Sequence, residues 1–206
     1  NHSFDFSEGG FLTTLQHCKD LDLPQAGGGR NIDEARSPAY VDSARGRVAV
    51  MGTTSTFSEQ SRAGAGRPDF PGRPGVNALR HDLVHHVERG FFDSLQQGME
   101  ALGYKDIQDA RKAFGFRGLE EAKHDITEIE FLENKFLLGE EFGVSTSANQ
   151  DDLDGMAKWI RGATKQADWV VYGAHCHESG NTGEFHGITR ISPPEFLIEA
   201  AHWAID

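Results

Sequence analysis

Two short clusters hold the residue types best suited to chemistry. The chain opens with Asn1-His2-Ser3-Phe4-Asp5, and a second cluster, His175-Cys176-His177-Glu178, directly follows a short apolar run. In an extended segment the side chains alternate, so the two histidines of the second cluster should point to one face and the cysteine to the other. Imidazole combined with carboxylate or amide oxygen suits Zn, Mn or Fe. The clusters therefore predict a metal-binding or acid–base site.

Most of the ten histidines are not expected to take part in this site. A single histidine is usually a surface residue or a satisfied core residue unless a second ligand type shares its surroundings. Cys176 is expected to be a small buried residue and not a nucleophile, since a catalytic thiol needs a positioned base. The histidines expected to be structural are His17, His81, His85, His86, His124, His186 and His202.

Helix signals surround the first cluster. Ser7 reads as an N-cap for an amphipathic helix that ends before Pro24. Asn31, with Glu34 three residues later, predicts a capping box and a short helix. Residues 39–41 and 47–51 flank Ala44-Arg45-Gly46 and predict a hairpin whose second strand is buried.

The middle of the chain predicts a long loop followed by helices. Glycine, proline and arginine dominate residues 53–77, a composition typical of a binding loop. Residues 79–103 show helical spacing, and a second helix is predicted over residues 106–114. Apolar residues between 126 and 142 suggest extended structure with a turn, although their period does not separate helix from strand. We expect residues 53–150 to form a loop and helical insertion.

The last third predicts helix, strand, loop and helix, which is α/β organisation. Residues 153–167 have apolar side chains at helical spacing after the acidic pair Asp151-Asp152. Residues 169–172 are a short apolar run typical of a central parallel strand. Pro193-Pro194 opens a final helix. The second cluster then lies at the carboxyl end of a strand, where open α/β sheets bind ligands.

Length, net charge and cysteine content limit the classes of function open to the chain. At 206 residues the chain suits one domain. A net charge of -12 argues against nucleic acid, and an acidic substrate would need local arginines or a bound cation. Two cysteines leave the redox compartment undecided, and no apolar run is long enough for a transmembrane segment.

Several segments together resemble the CapA-type poly-gamma-glutamate capsule synthesis proteins, a branch of the metallophosphoesterase-like superfamily. The segments are "NHSFDFSEGGFLTTL", "AGGGRNIDEARSPAYV", "GRVAVMGTTS", "GRPGVNALR", "ADWVVYGAHCHE" and "PPEFLIEAAHWAID". The resemblance implies a layered α/β sandwich of the metallophosphoesterase-like type, incomplete at both ends. Residues 1–206 would form a single partial domain of this kind.

The resemblance also implies site roles. Asn1, His175 and His177 would be metal ligands, while His2 would act as the acid beside the metals with Asp5 holding its ring. The metals would be divalent Mn, Zn, Fe or Mg, two of them in the complete protein. Glu178, Arg73, Asn77 and Arg80 would contact substrate, the arginines by holding carboxylates.

Two family motifs have no counterpart in the chain. They are an upstream Gly-Asp strand and a downstream Gly-His-x-x-His turn, so the chain as given should bind metal weakly or not at all. The expected partners are an anionic polymer or peptide such as poly-gamma-glutamate, and other capsule synthesis proteins. The sequence leaves the location undecided, and the resemblance favours the cell envelope.

Three functions remain open at this point. The first is a metal-dependent, phosphoesterase-like hydrolase, and the second is a non-catalytic factor for capsule polymer assembly, export or binding. The third and weakest is proton abstraction at a Cα by one of the histidines. All three depend on His2 and His175 meeting around a shared ion-binding hollow.

Overall fold

The computed structural model describes residues 2–104, 106–107, 110, 127–179 and 192–205. They form a mixed α/β structure in which the strands build three sheets. The α-helices are α1 Ser7–Asp20, α2 Ile32–Arg36, α3 Arg89–Ala101, α4 Gln150–Ala163 and α5 Glu195–Ile205, with 3₁₀ turns at His2–Phe4 and Glu59–Ser61. The strands are β1 Gly28–Gly29, β2 Ala39–Ser43, β3 Gly46–Thr54, β4 Gly75–Val76, β5 His81–Val87, β6 Glu128–Phe131, β7 Asn134–Leu138, β8 Gly143–Ala148 and β9 Trp169–His175.

The sheet β2-β3-β9 supports the site. β2 and β3 form the predicted antiparallel hairpin, and β9 pairs with β3 in parallel, from Val48 opposite Trp169 to Thr54 opposite His175. Gly46 closes the hairpin with φ +134°, a conformation that side chains other than glycine rarely adopt. The α/β organisation expected from the sequence is therefore confirmed.

One face of this sheet packs on α4. Ala49 and Met51 of β3 form a buried cluster with Ile160 and Ala163 of α4. A second cluster joins α4 to α5 through Met156, Phe196 and their neighbours. The amphipathic pattern predicted both helices, and their buried faces match it.

The other face of the sheet exposes apolar side chains, namely Val41, Val50, Trp169 and Val171, which are between 37% and 52% exposed. Among the described strands β9 lies at the edge of the sheet and not at its centre. The prediction of a central position for this strand is therefore wrong within the described part of the chain.

The four-stranded sheet β6-β7-β5-β8 was not anticipated as such. The helix predicted over residues 79–103 forms only from Arg89, because residues 81–87 form β5. Leu83 and Val87 are four residues apart, which fits a helix face, but they also lie on one face of a strand. Pairing of β5 with both β7 and β8 decides between the two.

Helix α3 covers part of this sheet, where Phe92 is buried against Val87 and Ile129. The expected extended structure with a turn is the β6–β7 hairpin. The described part of residues 53–150 is therefore richer in strand than the predicted helical insertion, and the insertion itself remains a prediction. The helix predicted over residues 106–114 lies mostly outside the described residues.

The N-caps of α1 and α2 can be compared with those predicted from the sequence. Ser7 is not the N-cap of α1, since Phe6 occupies that position and no side chain caps the helix. The start of α2 resembles a capping box: Asn31 accepts from the backbone N–H of Glu34 at 3.0 Å, and Glu34 accepts at 2.9 Å from the N–H of Arg30, one residue before the N-cap.

Candidate functional site

The site lies at the carboxyl ends of the parallel strands β3 and β9. The pairing of Thr54 with His175 ends the register, and the N–H of Ser55 donates to the His175 carbonyl at 3.0 Å. Two short segments, Ser55-Thr56 and Cys176-His177-Glu178, therefore leave the sheet side by side. This is the position at which open α/β sheets bind ligands.

The imidazoles of His175 and His177 are neighbours. Their ring centroids are 4.5 Å apart with the planes tilted by 60°, as side-chain alternation in an extended segment predicts. Desolvation lowers the pKa of His175, and the charges of His177 and His2 lower it further, against the opposing effect of Glu178. A shared ion-binding hollow remains a prediction.

His2 and Asp5 form a pair at the surface. The His2 Nδ1 lies 2.9 Å from the Asp5 Oδ2, and the two side chains are 80% and 55% exposed. A carboxylate at this distance orients the imidazole ring. Asn1, the third predicted residue of this cluster, lies outside the described residues.

Glu178 is held by four groups. Its Oε2 accepts from the Ser55 hydroxyl at 2.6 Å, from the Cys176 thiol at 3.1 Å and from the His177 N–H at 3.1 Å, and Thr56 lies 3.2 Å from its Oε1. Burial by itself would raise the pKa of the Glu178 carboxyl. The hydrogen bonds from Ser55 and Cys176 outweigh it, so the pKa is lowered and the carboxylate is ionised at neutral pH.

Sequence reasoning missed Ser55 and Thr56. They directly follow the buried strand β3, so their position at a strand end was a usable signal. Thr56 also accepts from the His177 N–H at 3.1 Å and thereby joins the two segments. Cys176 is half-buried, and burial raises the pKa of its thiol. The expectation that it is not a nucleophile remains a prediction.

Arg73 and Asn77, predicted to contact substrate, bind protein groups. The Arg73 guanidinium donates to the carbonyls of Arg62 and Glu59 at 2.9 and 3.1 Å. Asn77 is buried, and its Nδ2 donates to the Gly52 carbonyl at 2.8 Å. These contacts order the loop of residues 59–77 against β3, and substrate contact by either residue remains a prediction.

Asn77 lies beside Tyr172 under the site. Burial raises the pKa of Tyr172 to about 12, although Thr53 and Asn77 act in the opposite direction. Within the described residues the buried Tyr172 hydroxyl and the Asn77 Oδ1 have no hydrogen bond of good geometry. The tyrosine is therefore a neutral group at physiological pH.

Arg80 is bound to a buried carboxylate. Its Nε donates to the Asp152 Oδ2 at 2.8 Å and its Nη2 to the Asn149 Oδ1 at 2.9 Å. Arg36 donates to the Asp152 Oδ1 at 2.9 Å from the other side. Arg80 thus joins β5 to α4, and its predicted contact with substrate would have to use the side not facing Asp152.

The predicted metal site can be compared with the side chains of the described residues. Among them no three histidine, cysteine, aspartate or glutamate side chains converge as a ligand set. His175 and His177 offer two imidazoles, but the Glu178 carboxylate is occupied by hydrogen bonds. A divalent metal would need further ligands, because catalytic sites use about three protein ligands per ion.

The fold and the segments at the site are those of a known family. Residues 1–184 match the family described as "Bacterial capsule synthesis protein PGA_cap", and the chain belongs to this family. Its fold is metallophosphoesterase-like, in agreement with the α/β structure.

Two relatives come from Sinorhizobium fredii (strain NBRC 101917 / NGR234). They are "Uncharacterized protein y4sH" and "Uncharacterized protein y4uA", each 30% identical over 185 residues. The match covers 89% of this chain and 37% of each relative, so the chain spans just over a third of their length. In the part of the chain described here, no helix is both long and apolar enough to cross a bilayer.

Proposed function

We propose that the chain carries part of the site of a metal-dependent, phosphoesterase-like hydrolase that acts in capsule biosynthesis. Its substrate would be an anionic polymer or peptide such as poly-gamma-glutamate, handled at the cell envelope. The observation that carries the proposal is the pair of neighbouring imidazoles, His175 and His177, at the carboxyl end of β9, with ring centroids 4.5 Å apart.

An anionic substrate would need local positive charge to offset the charge of the chain. The chain as a whole has a net charge of -12 and repels polyanions. An anionic substrate therefore needs local positive charge, which a divalent cation bound at the His175–His177 pair would supply. Other capsule synthesis proteins would be partners in delivering or removing the polymer.

The residues have separable tasks in this proposal. His2, oriented by Asp5, would donate a proton to the leaving oxygen, while His175 and His177 would contribute imidazole ligands. A divalent metal, when bound, supplies Lewis acidity and an activated water. The remaining ligands, Asn1 among them, would come from residues outside the described part of the chain. Glu178 would position the backbone of His177 beside the substrate.

A second function, non-catalytic polymer assembly, export or binding, is favoured by a different observation. The Glu178 carboxylate, which directly follows His177, already accepts hydrogen bonds from Ser55, Thr56 and Cys176. A protein of this kind would keep the fold and bind polymer without hydrolysing it.

One experiment separates the two functions. The full-length protein is purified and its metal content determined by elemental analysis. Hydrolysis of poly-gamma-glutamate and of p-nitrophenyl phosphate is then compared between wild type, His2→Ala and the control His17→Ala. Loss of a general acid lowers kcat by about 10²-fold or more, so His2→Ala should show this loss and His17→Ala should not.

The outcomes point in opposite directions. Bound metal, together with a kcat loss confined to His2→Ala and an unchanged circular dichroism spectrum, supports the hydrolase. Metal-free protein with no hydrolysis and undiminished polymer binding supports the assembly factor.

A further inference from the structure

An aromatic groove lies on the four-stranded sheet, in a different part of the chain from the candidate site. It has a volume of about 420 Å³ and runs between the start of α3 and strand β8. His85 of β5 and Phe136 of β7 stack at its base with ring centroids 5.1 Å apart. Phe91 and Phe142 meet edge to face at 5.6 Å and form its wall. We call these four residues the aromatic groove.

The two phenylalanines that form the wall of the groove are exposed to solvent. Phe91 is 46% exposed and Phe142 is 60% exposed. Helix α3 covers the neighbouring part of the same sheet face, where Phe92 is fully buried. Two phenylalanines held against each other in a solvent-facing groove form an apolar patch of the kind that marks interaction sites.

Three glutamates adjoin in sequence the residues that line the groove. Glu140 and Glu141 directly precede Phe142, and Glu88 directly follows the last residue of β5. The Gly139 N–H donates to the Val87 carbonyl at 2.9 Å, which brings these two segments together. All three glutamates are exposed. The nearby Arg89 lies 3.8 Å from Asp93 of its own helix.

From this combination we propose that the aromatic groove docks a protein segment in which an apolar side chain is flanked by lysine or arginine. The apolar side chain would fill the groove between Phe91 and Phe142, and the flanking cations would meet Glu88, Glu140 and Glu141. The same carboxylates repel a polyanion, so the groove is not a second polymer site. Neutral glycans have no charge to match these carboxylates.

A defined peptide tests the docking proposal. The full-length protein, labelled with ¹⁵N, is titrated with the blocked peptide Lys-Leu-Lys-Phe-Lys-Leu and followed by NMR. A second titration uses the same peptide with glutamate in place of lysine. Amide shifts should concentrate at β5, β8 and the segment of residues 139–142 for the lysine peptide only. Because buried aromatic anchors dominate binding, Phe91→Ser with Phe142→Ser should weaken the Kd about tenfold.

Matched variants separate the groove from the overall negative charge. Phe70→Ser removes another phenylalanine, 47% exposed, and should leave the Kd unchanged. Glu140→Gln with Glu141→Gln should weaken binding, whereas Glu130→Gln with Glu133→Gln, a pair elsewhere on the surface, should not. The proposal would be overturned if the two glutamine pairs had equal effects on the Kd, or if the amide shifts spread over the whole surface. Binding of the glutamate peptide or of a neutral oligosaccharide in the groove would also overturn it.

Discussion

At the scale of single residues, His81 and Glu178 show how the surroundings set protonation. His81 is stacked on Phe196 with ring centroids 4.1 Å apart, and its Nδ1 is buried without a hydrogen bond among the described residues. Burial lowers the pKa of His81, although Glu178 and Asp82 oppose the effect. Glu178 has the opposite balance, since hydrogen bonds overcome its burial and keep it charged.

The lowered pKa of His81 predicts a pH dependence of stability. Below the unfolded-state pKa of about 6.5, the unfolded chain takes up a proton that folded His81 resists. The free energy of unfolding should therefore fall as the pH drops from 7 towards 5. His81→Phe keeps the ring stacking and should make this fall shallower, as measured by urea unfolding at several pH values.

The control for this prediction is His17→Phe, which removes an exposed histidine of α1. Its pH dependence should match that of the wild type. If both variants lose stability with the same slope as the wild type, His81 does not resist protonation in the folded protein.

At the scale of elements, two hairpins turn in different ways. In the β6–β7 hairpin, Leu132 and Glu133 have φ values of 49° and 64°, a left-handed conformation in which side chains other than glycine or asparagine are strained. Asn-Gly is the preferred pair for a two-residue turn of this kind. In the β2–β3 hairpin the positive φ falls on Gly46, after Ala44 and Arg45.

This difference predicts a stabilising substitution. Replacing Leu132-Glu133 with Asn-Gly should raise the free energy of unfolding by about 1–2 kcal/mol, because it removes the left-handed strain. The matched change of Ala44-Arg45 to Asn-Gly should give no such gain. Denaturant unfolding of both variants measures the effect, and a larger gain from the second change would refute the assignment of strain to the β6–β7 turn.

At the scale of the whole molecule, Asp152 joins three distant parts of the chain. Arg36 is the last residue of α2, and Arg80 follows the long loop of residues 53–77. Both donate to the Asp152 carboxylate at the start of α4. The Asp152 side chain is only 6% exposed. Removing the charge of a buried carboxylate that lies between two guanidinium groups is costly, because the two cations are then left without a counterion.

Asp152→Asn should therefore lower the free energy of unfolding by about 3 kcal/mol. The control Asp42→Asn removes a solvent-exposed bridge to Arg47 on the β2–β3 hairpin, and solvent screening should make its effect much smaller. Urea unfolding measures both variants. If both variants lost the same free energy of unfolding, Asp152 would contribute no more to stability than an exposed ion pair does.

Local patterns in the sequence determined the α/β class, the β2–β3 hairpin, the capping-box-like start of α2 and the helices α4 and α5. Each depends on periodicity or on a cap within a few residues, and such signals survive without tertiary contacts. The strand before the histidine pair was also readable, because a short apolar run followed a complete amphipathic helix. The resemblance in the first and last segments led to the family.

Only the tertiary structure decided the rest. Residues 81–87 became a strand because β7 and β8 lie on either side of them, and no pattern within the segment excludes a helix. Arg80 binds Asp152 across 72 residues of sequence, and Glu178 binds Ser55 across 123. Hydrogen bonds and ion pairs between distant segments depend on how the chain folds in three dimensions, so residue types and spacing could name these side chains but not their partners.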